Sequence, residues 1–404
     1  MDVTLHFLKT EKGYEGTFDS EGLRVAEIPM QKILWHRPNL SWEVVSDAST
    51  ETYSGQLRGN AFSGQFKQGD AKGTFSFTRA RTNLPPPSHE EIKFSNGAVM
   101  LAGTIFVPTG KGPHPGIVFL HGSGAEGRWA SNYLAGAFAR RGFAALTFDK
   151  RGVGKSGGDW QQAGFEELAE DAAAAVAALS ARPYVTRGRV GIHGHSQGGT
   201  LSPLAAMRIG HPAFVIASAA SGLSARETET FSVGNSLGIK GMASSDAEEA
   251  RKFVDAIMET AFSGQPYECV VEAWQKVQKQ PWAFEPPPKT DPYWRFMQRI
   301  ADYDGVSFWR QLSAPTLLVF GVEDERVPPR ESAARIAEAY LHGHGTSLKV
   351  MFFPGADHTF RLHTNASSTF HWPKTAPGYP DAIIDWAEGI VSPGIPLTVS
   401  VPSH

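Results

Sequence analysis

Gly194-His195-Ser196-Gln197-Gly198-Gly199 is the stretch on which the reading of this chain turns. It follows the apolar run Arg189-Val190-Gly191-Ile192-His193 and precedes a small-residue segment of helical character, Thr200 to Ile209. Strand, Gly-x-Ser-x-Gly, helix is the pattern of a nucleophile elbow, in which a serine is carried on a sharp, strained turn. Glycines flank the serine because a Cβ would clash where the strand reverses into the helix. Ser196 is therefore expected to be a nucleophile.

Outward from the elbow, strands alternate with helices. Strands are expected at 90–95, 99–107, 115–121, 143–149, 189–194, 213–219, 315–321 and 348–353, and helices at 129–141, 165–181, 197–209, 329–341 and 380–391. That alternation predicts an α/β fold, a mostly parallel eight-stranded sheet with helices on both faces. The stretch 223–312 breaks the pattern. It is rich in Trp, Phe and Pro, has helical character at 245–262 and 267–279, and reads as a helical cap inserted between two sheet strands. Residues 1 to about 82 differ again. Segments such as Thr52-Tyr53-Ser54-Gly55-Gln56-Leu57 and Ala61-Phe62-Ser63-Gly64-Gln65-Phe66 alternate with period 2 between turn glycines. They predict an N-terminal antiparallel β-barrel or sandwich of about seven or eight strands. Pro85 to Pro87 marks a stiff boundary. The expected division is 1–84 for the β-domain, 85–222 with 313–404 for the core, and 223–312 for the cap.

The bulk properties narrow the function classes. The 404 residues carry 38 basic and 41 acidic side chains, a net charge of −3, which gives no basic footprint for nucleic acid. No apolar run approaches the ~18 residues of a membrane span. The chain opens Met1-Asp2-Val3-Thr4 without the pattern of a signal peptide, so the expected compartment is the cytoplasm, with a periplasmic mature form as the alternative. The single Cys269 excludes an intrachain disulfide and reads as a packing residue.

Further motifs occur in a telling order: His121-Gly122-Ser123-Gly124, then Asp149-Lys150-Arg151-Gly152-Val153-Gly154-Lys155-Ser156, the elbow, Gly321-Val322-Glu323-Asp324, and Asp357-His358-Thr359-Phe360. With these the chain resembles the α/β-hydrolase superfamily over roughly residues 88–391. The D-x-R-G-x-G-x-S stretch is similar to that of its serine aminopeptidase and esterase-like branch. The N-terminal domain resembles the leader domain that precedes some bacterial esterases of this type.

A serine hydroxyl needs a base, and the base an orienting acid. The resemblance implies the chain order Ser, Asp or Glu, His. Asp324 lies just past the strand Pro315–Phe320, with Glu323 and Glu325 as local rivals. His358 follows the last strand, Leu348–Phe353, with His363 and His371 as alternatives among 14 histidines. The oxyanion hole needs two backbone N–H groups. Gln197 is expected to supply one, and Gly122 or Ser123 the other. His121 reads as a residue that orients this loop.

Rival patterns are also present. Gly122-Ser123-Gly124-Ala125-Glu126-Gly127 fits G-x-G-x-x-G, with Asp149 at the end of the next strand, which is close to a dinucleotide fingerprint. A nicotinamide-dependent oxidoreductase is thus the runner-up from another class, but it leaves Ser196, Asp324 and His358 unexplained. His193 and His195 suggest a metal pair without a third ligand. No cofactor and no metal are expected. The first expectation is a serine carboxylesterase acting on small esters. An aminopeptidase, amidase or thioesterase with the same residues is the alternative. Asp246, Glu248, Glu249 and Glu259 are candidate grips for a substrate amine, and Phe231, Phe253, Phe262, Trp274, Trp282, Phe284, Tyr293, Trp294 and Phe296 candidate walls of an apolar pocket. The expected partner is a small-molecule ester, with neither nucleic acid nor a membrane span, and a homodimer is left open.

Overall fold

A computed structural model of the chain describes residues 3–11, 13–20, 25–45, 50–79, 88–362 and 374–391. The boundary prolines Pro85 to Pro87 and the alternative histidines His363 and His371 lie outside the described residues.

Seven strands form the N-terminal sheet: β1 (Val3–Thr10), β2 (Gly13–Ser20), β3 (Val25–His36), β4 (Asn39–Val45), β5 (Thr50–Arg58), β6 (Ala61–Gln68) and β7 (Ala71–Thr78). They pair in sequence order as one antiparallel meander. The period-2 pattern puts alternate side chains on one face, and that face is aromatic. Trp42 stacks on Tyr53 at 5.0 Å, and Phe62 and Phe75 pack around it. The expected antiparallel N-terminal β-domain is present, with seven strands. There is one curled sheet, and among the described residues no hydrogen-bonded pairing closes β1 onto β7. The two edges instead border a cavity of about 510 Å³ lined by Val3, Leu5, Phe7, Trp35, Phe62 and Phe77 among others. Alternation shows which residues face inward but not how a sheet closes.

The second sheet contains β8 (Ser88–Asn96), β9 (Val99–Val107), β10 (His114–Leu120), β11 (Ala144–Phe148), β12 (Val185–His195), β13 (Val215–Ser218), β14 (Thr316–Gly321) and β15 (Leu348–Phe353). Its order is β15-β14-β13-β12-β10-β11-β9-β8. β8 and β9 pair antiparallel, β9 joins β11 antiparallel, and the other pairings are parallel. Every residue of β11, β13 and β14 is buried, as expected of strands covered on both faces. α1 (Trp129–Arg140) and α10 (Tyr379–Val391) cover one face through Leu134, Phe138, Ile383 and Ile384. α2 (Phe165–Ser180), α3 (Gln197–Ile209) and α9 (Pro329–Leu341) cover the other through Leu168, Val176, Leu201 and Ile336. A small hairpin, β16 (Arg361–Leu362) with β17 (Lys374–Thr375), precedes α10.

Between β13 and β14 lie α4 (Ala225–Ser236), α5 (Ser244–Ser263), α6 (Glu268–Val277), α7 (Pro292–Ile300) and α8 (Gly305–Gln311). α5 and α6 fall where helical character was expected, while α4, α7 and α8 are additional. The buried Phe253, Trp294 and Phe296 make this insertion continuous with the core beneath it, so these three are interior packing residues rather than pocket walls.

Candidate active site

Ser196 stands between the last residue of β12 and the first of α3, at φ +56° and ψ −120°. Such a backbone costs of order 1–3 kcal/mol for a non-glycine residue and persists only where its surroundings enforce it. The flanking glycines show the enforcement. A Cβ on Gly194 would lie 2.1 Å from the Gly198 carbonyl oxygen, and one on Gly198 would lie 2.6 Å from the His121 carbonyl oxygen. The Ser196 N–H donates to Ser218 O at 2.9 Å, which pins the turn to β13.

The loops after β14 and β15 bring Asp324 and His358 to this turn. Ser196 Oγ lies 2.8 Å from His358 Nε2, and His358 Nδ1 lies 2.8 and 3.0 Å from the Asp324 carboxylate oxygens. Asp324 Oδ1 also accepts the N–H groups of Arg326 and Val327, each at 2.8 Å, so the carboxylate is held before the histidine reaches it. His358 is 4% and Asp324 5% exposed. The rivals Glu323 and Glu325 are exposed, and Glu325 approaches only the His358 backbone N–H, at 3.4 Å. His195 points its Nε2 at the His358 carbonyl oxygen, 2.9 Å away, and His193 bonds Ser218 Oγ at 3.0 Å. The two rings that suggested a metal pair thus serve separate protein partners.

The loop after β10 separates the two candidate oxyanion donors left open there. The Gly122 N–H is engaged by the Glu126 carboxylate. Among the described residues the Ser123 N–H finds no acceptor. Gln197 opens α3, so its N–H is one of the unpaired first-turn donors of that helix. Ser123 and Gln197 are therefore the available pair, and Gly122 is not.

Electrostatics around this loop are unusual. Burial, reinforced by the Lys150 charge, pushes His121 down to about 3, so its ring is neutral. It bonds the Phe148 carbonyl oxygen at 2.5 Å, which orients the loop. Burial pushes Lys150 down to about 8 and raises Glu126 above the usual carboxyl range. The Lys150 Nζ donates to Gly122 O, Gly124 O and Gln197 Oε1. The residues that suggested a dinucleotide site are occupied as well. Glu126 folds back into the glycine loop, and Asp149 is bound by the Arg128 guanidinium and by the Lys155 N–H.

The insertion meets the site at two points. Asn235 Nδ2 of α4 donates to Glu325 O in the Asp324 loop, and Tyr303 OH donates to Thr200 O in the first turn of α3. Three of the four expected acids, all but Asp246, have partners within the insertion. Glu248 pairs with Lys252, Glu259 with Arg226, and Glu249 meets Gln280. Glu229 of α4, which sequence reasoning missed, forms no hydrogen bond among the described residues. Burial raises it above the usual carboxyl range, against the pull of Arg326, and its charge acts on Tyr293. Lys150 and Glu126, which border the loop after β10, were also not singled out in the sequence. The available signal was a charged pair, Asp149-Lys150, directly after an apolar strand at the edge where the site forms.

The sheet order and the serine turn between β12 and α3 define an α/β-hydrolase fold. Residues 96–355 match the X-Pro dipeptidyl-peptidase (S15) family, and the chain belongs to that family. It is similar to esterase EstD of Thermotoga maritima, with 27% identity over 307 residues, 72% of this chain and 66% of that protein. It is also similar to the uncharacterized protein PA2218 of Pseudomonas aeruginosa, with 34% identity over 110 residues, 26% of this chain and 30% of that one. The chain thus spans less than two thirds of either relative. Among solved structures, DcsB in complex with its substrate analogue has a TM-score of 0.49 and 16% identity, covering 75% of this chain and 98% of that one. Among the described residues no helix is long and apolar enough to cross a membrane.

Proposed function

We propose that this chain is a serine hydrolase that cleaves small carboxylic esters through an acyl-enzyme on Ser196. The observation that carries the reading is the hydrogen-bonded series Ser196 Oγ, His358 Nε2, His358 Nδ1, Asp324, set on a strained elbow. Ser196 attacks the ester carbonyl as His358 takes its proton. Asp324 holds the tautomer with Nδ1 protonated and stabilises the imidazolium. The N–H groups of Ser123 and Gln197 receive the oxyanion. His358 then protonates the departing alcohol, and a water activated by the same ring releases the acid. α4 to α8 serve as a cap, with the half-buried Phe262 and Tyr293 as candidate walls for the acyl or alcohol part.

A second reading, an aminopeptidase or amidase, is favoured by Glu229, a cap carboxyl without a hydrogen-bond partner among the described residues that would suit a substrate ammonium. Membership of the X-Pro dipeptidyl-peptidase family points the same way. Arg326 argues against it, because its guanidinium already acts on Glu229 and would repel a second cation. Parallel assays on p-nitrophenyl butyrate and on aminoacyl p-nitroanilides, each with wild type and Ser196→Ala, separate the two. The ester reading expects Ser196-dependent kcat/KM to be higher on the ester by at least about 10²-fold. Faster anilide cleavage that is lost in Glu229→Gln would favour the peptidase.

A further inference from the structure

One charged group inside the site is not used by the mechanism above. Lys150 is 2% exposed and lies just past the fully buried β11. Its Nζ donates to Gly122 O at 2.6 Å, to Gly124 O at 3.0 Å and to Gln197 Oε1 at 3.1 Å. An ammonium carries three hydrogens, and these three acceptors account for them. The Trp160 ring covers another side, with its centroid 5.3 Å away.

The identity of the first acceptor matters most. Gly122 C=O and Ser123 N–H belong to one peptide unit, and in a planar trans peptide they point in opposite directions. A cation drawing the Gly122 oxygen inward therefore turns the Ser123 N–H outward. A charge-assisted bond to that carbonyl also polarises the peptide and strengthens its N–H as a donor. The third acceptor is the side chain of Gln197, whose N–H is the other candidate donor. The carboxylate of Glu126 fixes the Gly122 N–H.

We propose that Lys150 is the positioning residue of the oxyanion hole: its ammonium sets the Gly122–Ser123 peptide so that the Ser123 N–H faces the substrate oxygen, and ties that peptide to Gln197. This rests on the serine-hydrolase reading. A group acting only on an oxyanion affects the transition state and leaves ground-state binding alone.

The test is Lys150→Met assayed on p-nitrophenyl butyrate beside wild type. The expected result is a fall in kcat of about 10²-fold with KM changed less than about threefold, the scale of losing an oxyanion donor. Affinity for a trifluoromethyl ketone inhibitor, whose adduct with serine carries the same oxyanion, falls by the same factor. Gln197→Met is the second variant. It keeps the backbone donor, removes one acceptor of the ammonium, and serves if Lys150→Met does not fold. Its expected cost is about tenfold in kcat, and in the double variant the losses are less than multiplicative because both act through one tether. A folded Lys150→Met with kcat within threefold of wild type, or with unchanged inhibitor affinity, overturns the assignment. So does Gln197→Met with wild-type kcat. A wild-type protein without Ser196-dependent turnover overturns the hydrolase reading itself, and this inference with it.

Discussion

Ser196 Oγ and His358 Nε2 lie 2.8 Å apart although 162 positions separate the two residues in the chain. The approach is made by parallel strands. β12 ends in the serine turn, β15 ends three positions away in the sheet order, and the loops beyond their carboxyl ends converge above the sheet edge. The same edge receives Asp324 from β14 and the 122–126 loop from β10. Each group is held by backbone contacts that do not depend on a substrate.

The acid's place is tested by Asp324→Asn. The amide retains the backbone bonds but favours the wrong histidine tautomer, so kcat is expected to fall by about 10⁴-fold with little change in KM. Glu323→Gln and Glu325→Gln, whose carboxylates do not reach the ring, leave kcat within a few-fold of wild type. Steady-state ester hydrolysis distinguishes the three.

Gly198→Ala places a methyl 2.6 Å from the His121 carbonyl oxygen. Rigid backbone on both sides cannot yield, so the variant is expected to lose about 1–3 kcal/mol of stability. Its kcat falls with it, because the displaced atom belongs to the oxyanion loop. Denaturant unfolding and ester turnover on the same preparation check both parts.

Lys150 gives activity and stability opposite pH trends. Its ammonium titrates at about 8 in the folded protein, against 10.5 for an ordinary lysine. Glu126 on the loop is the charge that acts on it. Above pH 8 the amine loses a hydrogen and with it one acceptor of the tether, so ester turnover declines there. Between 8 and 10.5 the unfolded chain binds more protons at this position than the folded one, and stability rises with pH. Wild type is therefore expected to gain stability relative to Lys150→Met across that window, as measured by urea midpoints at pH 7.5, 9 and 10.5. A constant difference would mean that the ammonium does not titrate there.

The central sheet strands were legible because each is a short apolar run ending in a loop or glycine, whereas β8 showed itself by alternation. Asp324 and His358 could be chosen among many acids and histidines because each directly follows such a run. α4, α7 and α8 were not seen, because α4 offers only Ala225, Phe231 and Val233 as apolar positions and α7 and α8 are only 9 and 7 residues long. Their starts were nonetheless written in the chain: Ser224 with Glu227 as a capping box, Asp291 before Pro292, and Asp304, each accepting a first-turn N–H. The roles of Lys150 and Glu126 could not be read from the sequence, because their partners include backbone carbonyl and N–H groups, which every residue carries.

The central claim is covalent chemistry at Ser196, and burst kinetics with p-nitrophenyl acetate test it most directly. A rapid release of nitrophenol stoichiometric with enzyme is expected, followed by slower turnover, with both phases abolished in Ser196→Ala. Release that persists in Ser196→Ala, or a wild-type protein that forms no acyl adduct on Ser196 by intact-mass measurement, would contradict it.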